Sequence, residues 1–270
     1  MKRRLAGGLA AGLITWTIAC GASPSPSTDE TAYTLPRGSL RAGLWKLEYS
    51  AVDSVTAGTY WWAWYFGIIN GHVKWRALSA GDFAVAARFG ALHVATTNLG
   101  ALDNDLGDGS LTVATGELTG TWRAGPALTV SLTPVYTKVW IDGEINVDAF
   151  DGTAAGAVDN LQLVTTVERR LDRRAALGLT GRYLVFQNLT GRGLVRLQPD
   201  AYTHVDLHGG GKRDAFDFPH AWSLVLHSRL TFGRFNLRLG IGYGNHSVPA
   251  LNFVRKTPGV IPELDAYWVF

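Results

Sequence analysis

The chain ends Glu263-Leu264-Asp265-Ala266-Tyr267-Trp268-Val269-Phe270. Leu264, Ala266, Trp268 and Phe270 take alternate positions, with Glu263, Asp265, Tyr267 and Val269 between them. Successive side chains of a β-strand point to opposite faces. The pattern therefore predicts a strand with one wholly apolar face and one that carries charge. An aromatic at the very end of such a strand is unusual for a chain that buries its apolar face in a water-soluble core.

The same period recurs upstream. Leu230 and Phe232 alternate with Arg229 and Thr231; after Gly233-Arg234 the parity flips, and Phe235, Leu237, Leu239, Ile241 and Tyr243 alternate with Asn236, Arg238, Gly240 and Gly242. That is a two-strand hairpin with a tight turn. Leu128, Val130, Leu132 and Tyr136 alternate with Thr129, Ser131, Thr133 and Thr137, and Ala175, Leu177, Leu179, Tyr183 and Val185 alternate with Gly178, Thr180 and Arg182. Strands are read in the same way around Trp45–Tyr49, Val73–Ala77, Val85–Ala91, Ala114–Trp122 and Leu161–Val167. Short connections at Asp53, Ser79-Ala80, Ala124-Gly125, Leu171-Asp172 and Gly233-Arg234 alternate with longer ones at Asn70, Asn98–Ser110, Ile141–Asn160, Asn188–His220 and Asn245–Pro262.

No run of the chain approaches the roughly 18 apolar residues of a membrane helix; the nearest, Tyr60–Ile69, is far shorter and largely aromatic. Alternating strands with short turns at one end and long loops at the other predict an all-β fold, a transmembrane antiparallel up-and-down β-barrel. Closed single-chain barrels take even strand numbers, which predicts twelve strands, with ten and fourteen as alternatives. The twelfth strand is sought at Thr31–Leu35 or at Ala201–His208. Aromatics then sort into two belts. Trp75, Phe83, Trp122, Phe232, Phe235, Trp268 and Phe270 fall near the turn end, and Trp61, Trp62, Trp64, Trp140, Trp222 and Tyr243 near the loop end. A soluble β-sandwich is the competing fold, and it requires Trp45, Trp75, Leu237 and Phe270 to be buried.

The terminal strand resembles the closing strand of bacterial outer-membrane β-barrels. That resemblance implies that Trp268 and Phe270 form the signal read by the β-barrel assembly machinery, and that outer-membrane lipid and lipopolysaccharide surround the protein. Tyr33-Thr34-Leu35-Pro36-Arg37-Gly38, then Gly43, Tyr49, Asp53 and Ala57-Gly58-Thr59, resemble the opening of a group of uncharacterised proteobacterial outer-membrane proteins that begin with a "TLPKG" segment; Arg37 stands where those have lysine. This likeness implies a compartment and a fold, and supplies no activity.

The N-terminus reads as an export signal. Lys2, Arg3 and Arg4 precede an apolar stretch, Leu5–Ile18, and small residues at Ala19–Ala22. The expected organisation is a signal peptide over 1–22, a Ser/Pro-rich linker over 23–38 and the barrel over 39–270. Cys20, the sole cysteine, fits a lipoprotein cleavage box or ordinary cleavage after Ala22. Either way no cysteine pair exists for a disulfide or a thiolate metal site. The formal charge of +3 falls to zero once Lys2, Arg3 and Arg4 are removed, so the charge gives no reason to expect a nucleic-acid partner. Oligomeric state is not legible.

The candidate functional residues are the charged ones on the polar strand faces. Lys46, His72, Lys74, Arg76, Arg88, Arg182, His227, Arg229 and Arg238 are opposed by Glu48, Glu117, Glu168, Glu263 and Asp265. They can pack the lumen as an ion-pair network, or line a narrow pore whose surplus of bases favours anions. His204, Asp206 and His208 share one face of an extended segment, but span too far to chelate one ion without a partner such as His220. Gly209-Gly210-Gly211-Lys212 lacks the spacing of a phosphate loop, and Arg169, Arg170, Arg173 and Arg174 flank a solvated turn. His227-Ser228 alternate across a strand, His246-Ser247 have no carboxylate nearby, and no nucleophile elbow or zinc-helix motif occurs. The expectation is a non-enzymatic outer-membrane barrel without cofactor or metal. It is either a narrow passive channel for small solutes or a structural, surface-binding barrel. An outer-membrane hydrolase of phospholipase or lipid A deacylase type is the alternative.

Overall fold

A computed structural model describes residues 29–95, 109–147, 150–196, 220–245, 254 and 257–270. Twelve antiparallel strands close into one barrel in sequence order, with the first strand paired to the last. They are β1 (Leu40–Gly43), β2 (Leu47–Val52), β3 (Val55–Thr59), β4 (Ile69–Ala80), β5 (Phe83–Ala95) and β6 (Gly109–Arg123). The other half comprises β7 (Leu128–Val147), β8 (Phe150–Arg170), β9 (Ala175–Arg196), β10 (Trp222–Phe232), β11 (Phe235–Gly244) and β12 (Gly259–Val269). Closure leaves no sheet edge along the seam. Arg41, Ala42 and Gly43 pair with Val269, Trp268 and Tyr267, and Phe270 exchanges backbone hydrogen bonds with Leu40.

The exposure pattern states the environment. Along β10 buried and exposed residues alternate without a break from Trp222 to His227, and the buried set is polar apart from Val225: Ser223, His227, Arg229 and Thr231. The exposed set is Trp222, Leu224, Leu226 and Phe232. A polar inside and an apolar outside invert the soluble arrangement and match a barrel that spans a membrane. The sandwich alternative fails its own test. Trp45, Trp75 and Phe270 are 45, 53 and 55% exposed, and Leu237 is only half-buried.

The five tight connections named above lie at one end. At the other end β1 and β2 are joined by three residues, and β7 and β8 stay paired out to Val147 and Phe150, so the stretch Ile141–Asn160, expected as a long connection, is mostly strand. At Gly233 a positive φ of 62° opens the two-residue turn between Phe232 and Phe235, a conformation glycine adopts without strain. The turn-end aromatics meet across strands: Phe83 pairs with Trp122, and the Phe235 ring lies 4.8 Å from that of Trp268.

Wall height is uneven. β1, β2 and β3 have 4, 6 and 5 residues, whereas β7, β8 and β9 have 20, 21 and 22. Above the low wall a 3-10 helix, Trp61–Phe66, fills the notch. The Trp61 indole donates to the Gly43 carbonyl at 2.9 Å and the Trp45 indole to that of Leu264 at 2.6 Å. These bonds use carbonyls that β1 and β12 have no strand partner for at that height.

The place of the twelfth strand also needs correction. The twelfth strand is β1, at Leu40–Gly43, and not Thr31–Leu35. Four residues are too few to show a period, so the strand was invisible as a pattern. Ala201–His208, the other candidate, lies outside the described residues, as do residues 1–28.

Candidate functional site in the barrel lumen

Thr31–Leu35 are all buried, yet belong to no strand. They run through the barrel interior. The Ala32 amide donates to the Thr121 hydroxyl at 2.7 Å and the Leu35 amide to the Thr56 hydroxyl at 3.0 Å. The Thr34 hydroxyl donates to the Asp53 carbonyl, and the Lys74 ammonium to the Thr31 carbonyl. Ala32 and Tyr33 pack on Ala84 and Ala86, whose small side chains leave room for them, and the Arg123 guanidinium lies 4.4 Å from the centre of the Tyr33 ring. Backbone polar groups removed from water need partners. Hydroxyls on β3 and β6 supply them here, in place of a ladder.

Asp29 and Glu30 hold the inner end of this plug. Arg41, 0% exposed, donates from two nitrogens to the two Asp29 oxygens at 2.8 and 2.9 Å. Arg41 also meets Glu48 at 3.1 Å and Asp265 at 2.6 Å, and its guanidinium stacks 3.8 Å from the Tyr267 ring centre. Lys46 pairs with Asp29 and with Glu48. Glu30 pairs with Arg238, which also contacts Glu263 at 3.1 Å, and lies 3.8 Å from His227. Burial acts to raise the pKa of both plug carboxylates, but the cations outweigh it. Arg41 and Lys46 hold the Asp29 carboxyl well below the usual carboxylate range, and Arg238 with His227 and Arg182 lowers that of Glu30. Both are anions at neutral pH.

The predicted polar-face residues sort around this plug. Glu48 accepts from His72 at 2.9 Å across Gly58, the β3 residue between them. A Cβ on Gly58 would stand 2.6 Å from Glu48 and 2.8 Å from His72, so the pair forms only because β3 has no side chain there. Arg88 faces Glu117 at 3.6 Å and donates to the Tyr60 hydroxyl at 3.3 Å. Arg229 pairs with Glu168 at 2.8 Å. The His227 ring lies over Gly178, where a Cβ would meet its Nε2 at 2.1 Å. Arg76 shares the inward face of β4 with His72 and Lys74 and is half-buried, and Arg182 reaches the cavity described next. Trp268 and Phe270 point outward on the opposite face of the terminal strand from Asp265.

Between the plug and the long-loop end lies a cavity of about 700 Å³. Asp29, Glu30, Lys46 and Arg238 form its floor, Arg88, Glu117 and Arg182 its wall, and Trp45, Tyr60 and Trp62 its aromatic lip. At the loop end, Gln187 exchanges two hydrogen bonds with the backbone of Val254, at 3.1 and 3.2 Å.

Two groups of contributors escaped the sequence reading. Arg41 sits on the strand that had no period. Asp29 and Glu30 fall within the stretch read as linker, and their partners Arg41, Lys46 and Arg238 lie on β1, in the β1–β2 connection and on β11. A pair of carboxylates just ahead of an uncharged run was the only local signal. Other expectations keep their plain readings. His227 is buried in the lumen while Ser228 is exposed, so the neighbours face opposite ways. His220 contacts the Tyr183 hydroxyl, and Asp172 caps the turn at Arg174 and Ala175. Among the described residues no group of three or more His, Cys, Asp or Glu is placed to hold a metal ion. His204, Asp206, His208, Gly209–Lys212, His246-Ser247 and Cys20 lie outside those residues.

No protein-family model matches the chain, and no curated protein matches it. Among solved structures it is similar to the outer-membrane expressed OmpT of Vibrio cholerae. The two are 14% identical, over 83% of this chain and 62% of that one, at a TM-score of 0.42. The chain thus spans less than two thirds of the length of that neighbour. The barrel assignment rests on the closed sheet and on its inverted polarity.

Proposed function

We propose that this is an integral outer-membrane barrel of the non-enzymatic kind, closed at its turn end by its own residues 31–35. It works as a surface-facing binding cup and not as a standing channel. The observation that carries this reading is the plug. Thr31–Leu35 are buried against the arc of wall formed by β3–β6, and the adjoining Asp29 and Glu30 reach Arg41 on β1 and Arg238 on β11, so the segment crosses the lumen where a solute would have to pass. The cavity above it supports the same reading, since it lies toward the long connections, which face outward in such barrels. Its mixture of aromatic lip and charged floor suits a small polar solute with an apolar side. Export by the 1–22 signal and insertion through the terminal Trp268–Phe270 strand complete the proposal.

Purified full-length protein in a planar lipid bilayer tests it. The expected result is a folded, heat-modifiable barrel that gives no steady single-channel current. A stable open conductance in the full-length protein overturns the closed reading.

A further inference from the structure

We infer that the plug's Asp29-Glu30 pair is a tethered stand-in for a small diffusible anion, and that the lumen it occupies is a latent anion-selective pore.

The inference rests on the closed-barrel reading and goes past it, starting from what the plug carboxylates touch. Asp29 is held by a two-nitrogen guanidinium contact from Arg41 and by the Lys46 ammonium. That is the donor set a free carboxylate or phosphate takes when it is recognised by shape as well as charge. Glu30 takes Arg238. Two adjacent carboxylates thus satisfy two separate basic positions, Arg41 with Lys46 and Arg238, as one dicarboxylate would.

The strand-borne charge makes the same point. Inside the barrel the strands and their turns present Arg and Lys in excess over Asp and Glu, and the plug carboxylates make up part of the deficit. Without them Lys46 keeps only Glu48 among its ion-pair partners, and Arg238 keeps only Glu263. A lumen with surplus fixed positive charge favours anions. Twelve strands enclose a bore between the filled eight-strand barrel and the open sixteen-strand porin. On the opposite wall β6, β7 and β8 face inward mostly with hydroxyls and amides such as Thr121, Ser131, Thr133 and Gln162, and their carboxylates Glu117 and Glu168 are each matched by an arginine, Arg88 and Arg229. Beyond its charged end the plug is held by single hydrogen bonds, among them that from the Lys74 ammonium to the Thr31 carbonyl, and by the Arg123 contact with the Tyr33 ring, so the paired carboxylates carry its only ion pairs among the described residues.

The test is bilayer current from a full-chain variant that lacks residues 29–35, with folding confirmed by heat-modifiable gel migration. Under a potassium chloride gradient the expected result is steady conductance with a reversal potential shifted toward the chloride equilibrium potential. Added inorganic phosphate or succinate is expected to reduce the chloride current by competing for Arg41, Lys46 and Arg238. The full-chain Asp29→Asn/Glu30→Gln variant keeps the plug and is expected to show intermittent openings of the same selectivity. If the deleted chain does not fold, this second variant decides. A folded deletion variant that stays silent, a substituted variant that never opens, or a cation-selective current each overturns the inference. Conductance in the unaltered protein would instead overturn the closed reading, so the two failures are told apart.

Discussion

The lumen has two unlike sectors. On β1–β5 and β10–β12 the inward face is charged, with Arg41, Glu48, His72, Lys74, His227, Arg229 and Arg238 all buried. On β6–β9 it is mostly hydroxyl and amide, with cross-strand contacts between Thr121 and Ser131 at 2.9 Å, Thr119 and Thr133 at 3.1 Å, and Thr166 and Thr180 at 3.1 Å. The sectors meet at two ion pairs, Arg88–Glu117 and Glu168–Arg229. The plug spans both, ionic at Asp29 and Glu30 and hydrogen-bonded at Ala32. A single hydroxyl can lose its partner to a neighbour at modest cost, whereas a buried charge cannot. The charged sector should therefore be intolerant and specific, and the hydroxyl sector forgiving.

Arg41→Ala is the sharpest way to test that contrast. The substitution removes a wholly buried cation and leaves Asp29, Glu48 and Asp265 converging on the space it filled. Breaking a buried pair by deleting one partner costs about 3–5 kcal/mol. The expected outcome is loss of the heat-modifiable folded band, or a large drop in the urea midpoint for refolding into detergent micelles. A near-neutral result would mean that water enters the cluster freely and that the charged sector is not the rigid one.

Gly178→Ala comes next. Its new Cβ would collide with the His227 ring, which would have to leave its place over β9. Overpacking of this kind costs roughly 1–3 kcal/mol. The same collision predicts a rescue: the double variant Gly178→Ala/His227→Ala should recover part of the lost midpoint. Absence of any rescue would show that the backbone of β9, and not the imidazole, objects to the methyl group.

Thr121→Val probes the other sector with a smaller expected effect. It removes the acceptor for the Ala32 amide and the partner of Ser131, while keeping the shape. The loss of a net hydrogen bond is about 1 kcal/mol. The urea midpoint should fall slightly and the folded band should persist. A loss as large as that of Arg41→Ala would erase the distinction between the sectors.

The two sectors were also unequally legible. Along β10, β11 and β12 the period of two fixed both faces, because lipid outside and charge inside impose opposite demands on neighbouring residues. Inward Thr and Ser on β7, β8 and β9 followed from the same alternation. Strand β1 carries its hub arginine on four residues, with apolar Leu40 and Ala42 beside it and no repeat to declare a face. The plug was harder still. Glu30 and Arg238 lie 208 positions apart, and a contact across that separation leaves no local trace in either segment. Gly58 and Gly178 read as ordinary strand glycines until the side chains of flanking strands were seen to need their space.

The smallest expected effect concerns pH, and it discriminates between the carboxylates and the histidines as anchors of the plug. Asp29 faces Arg41 and Lys46, and Glu30 faces Arg238, Arg182, His227 and Glu263. Both carboxyls titrate below their free range in the docked state. A depressed carboxyl contributes docking energy that is complete above its free value, near pH 4, and drains away only as pH falls through the lower, docked value. Between pH 8 and pH 5 the full-length protein should therefore stay equally silent in a bilayer, with openings appearing only in stronger acid. A transition well above the carboxylate range would point elsewhere, to the buried imidazoles. It would transfer the anchoring role to His227, beside Glu30, and to His72, bonded to Glu48. The charged sector would then be held by neutral rings that acid converts to cations, and Asp29 would be a passenger on the plug instead of its lock.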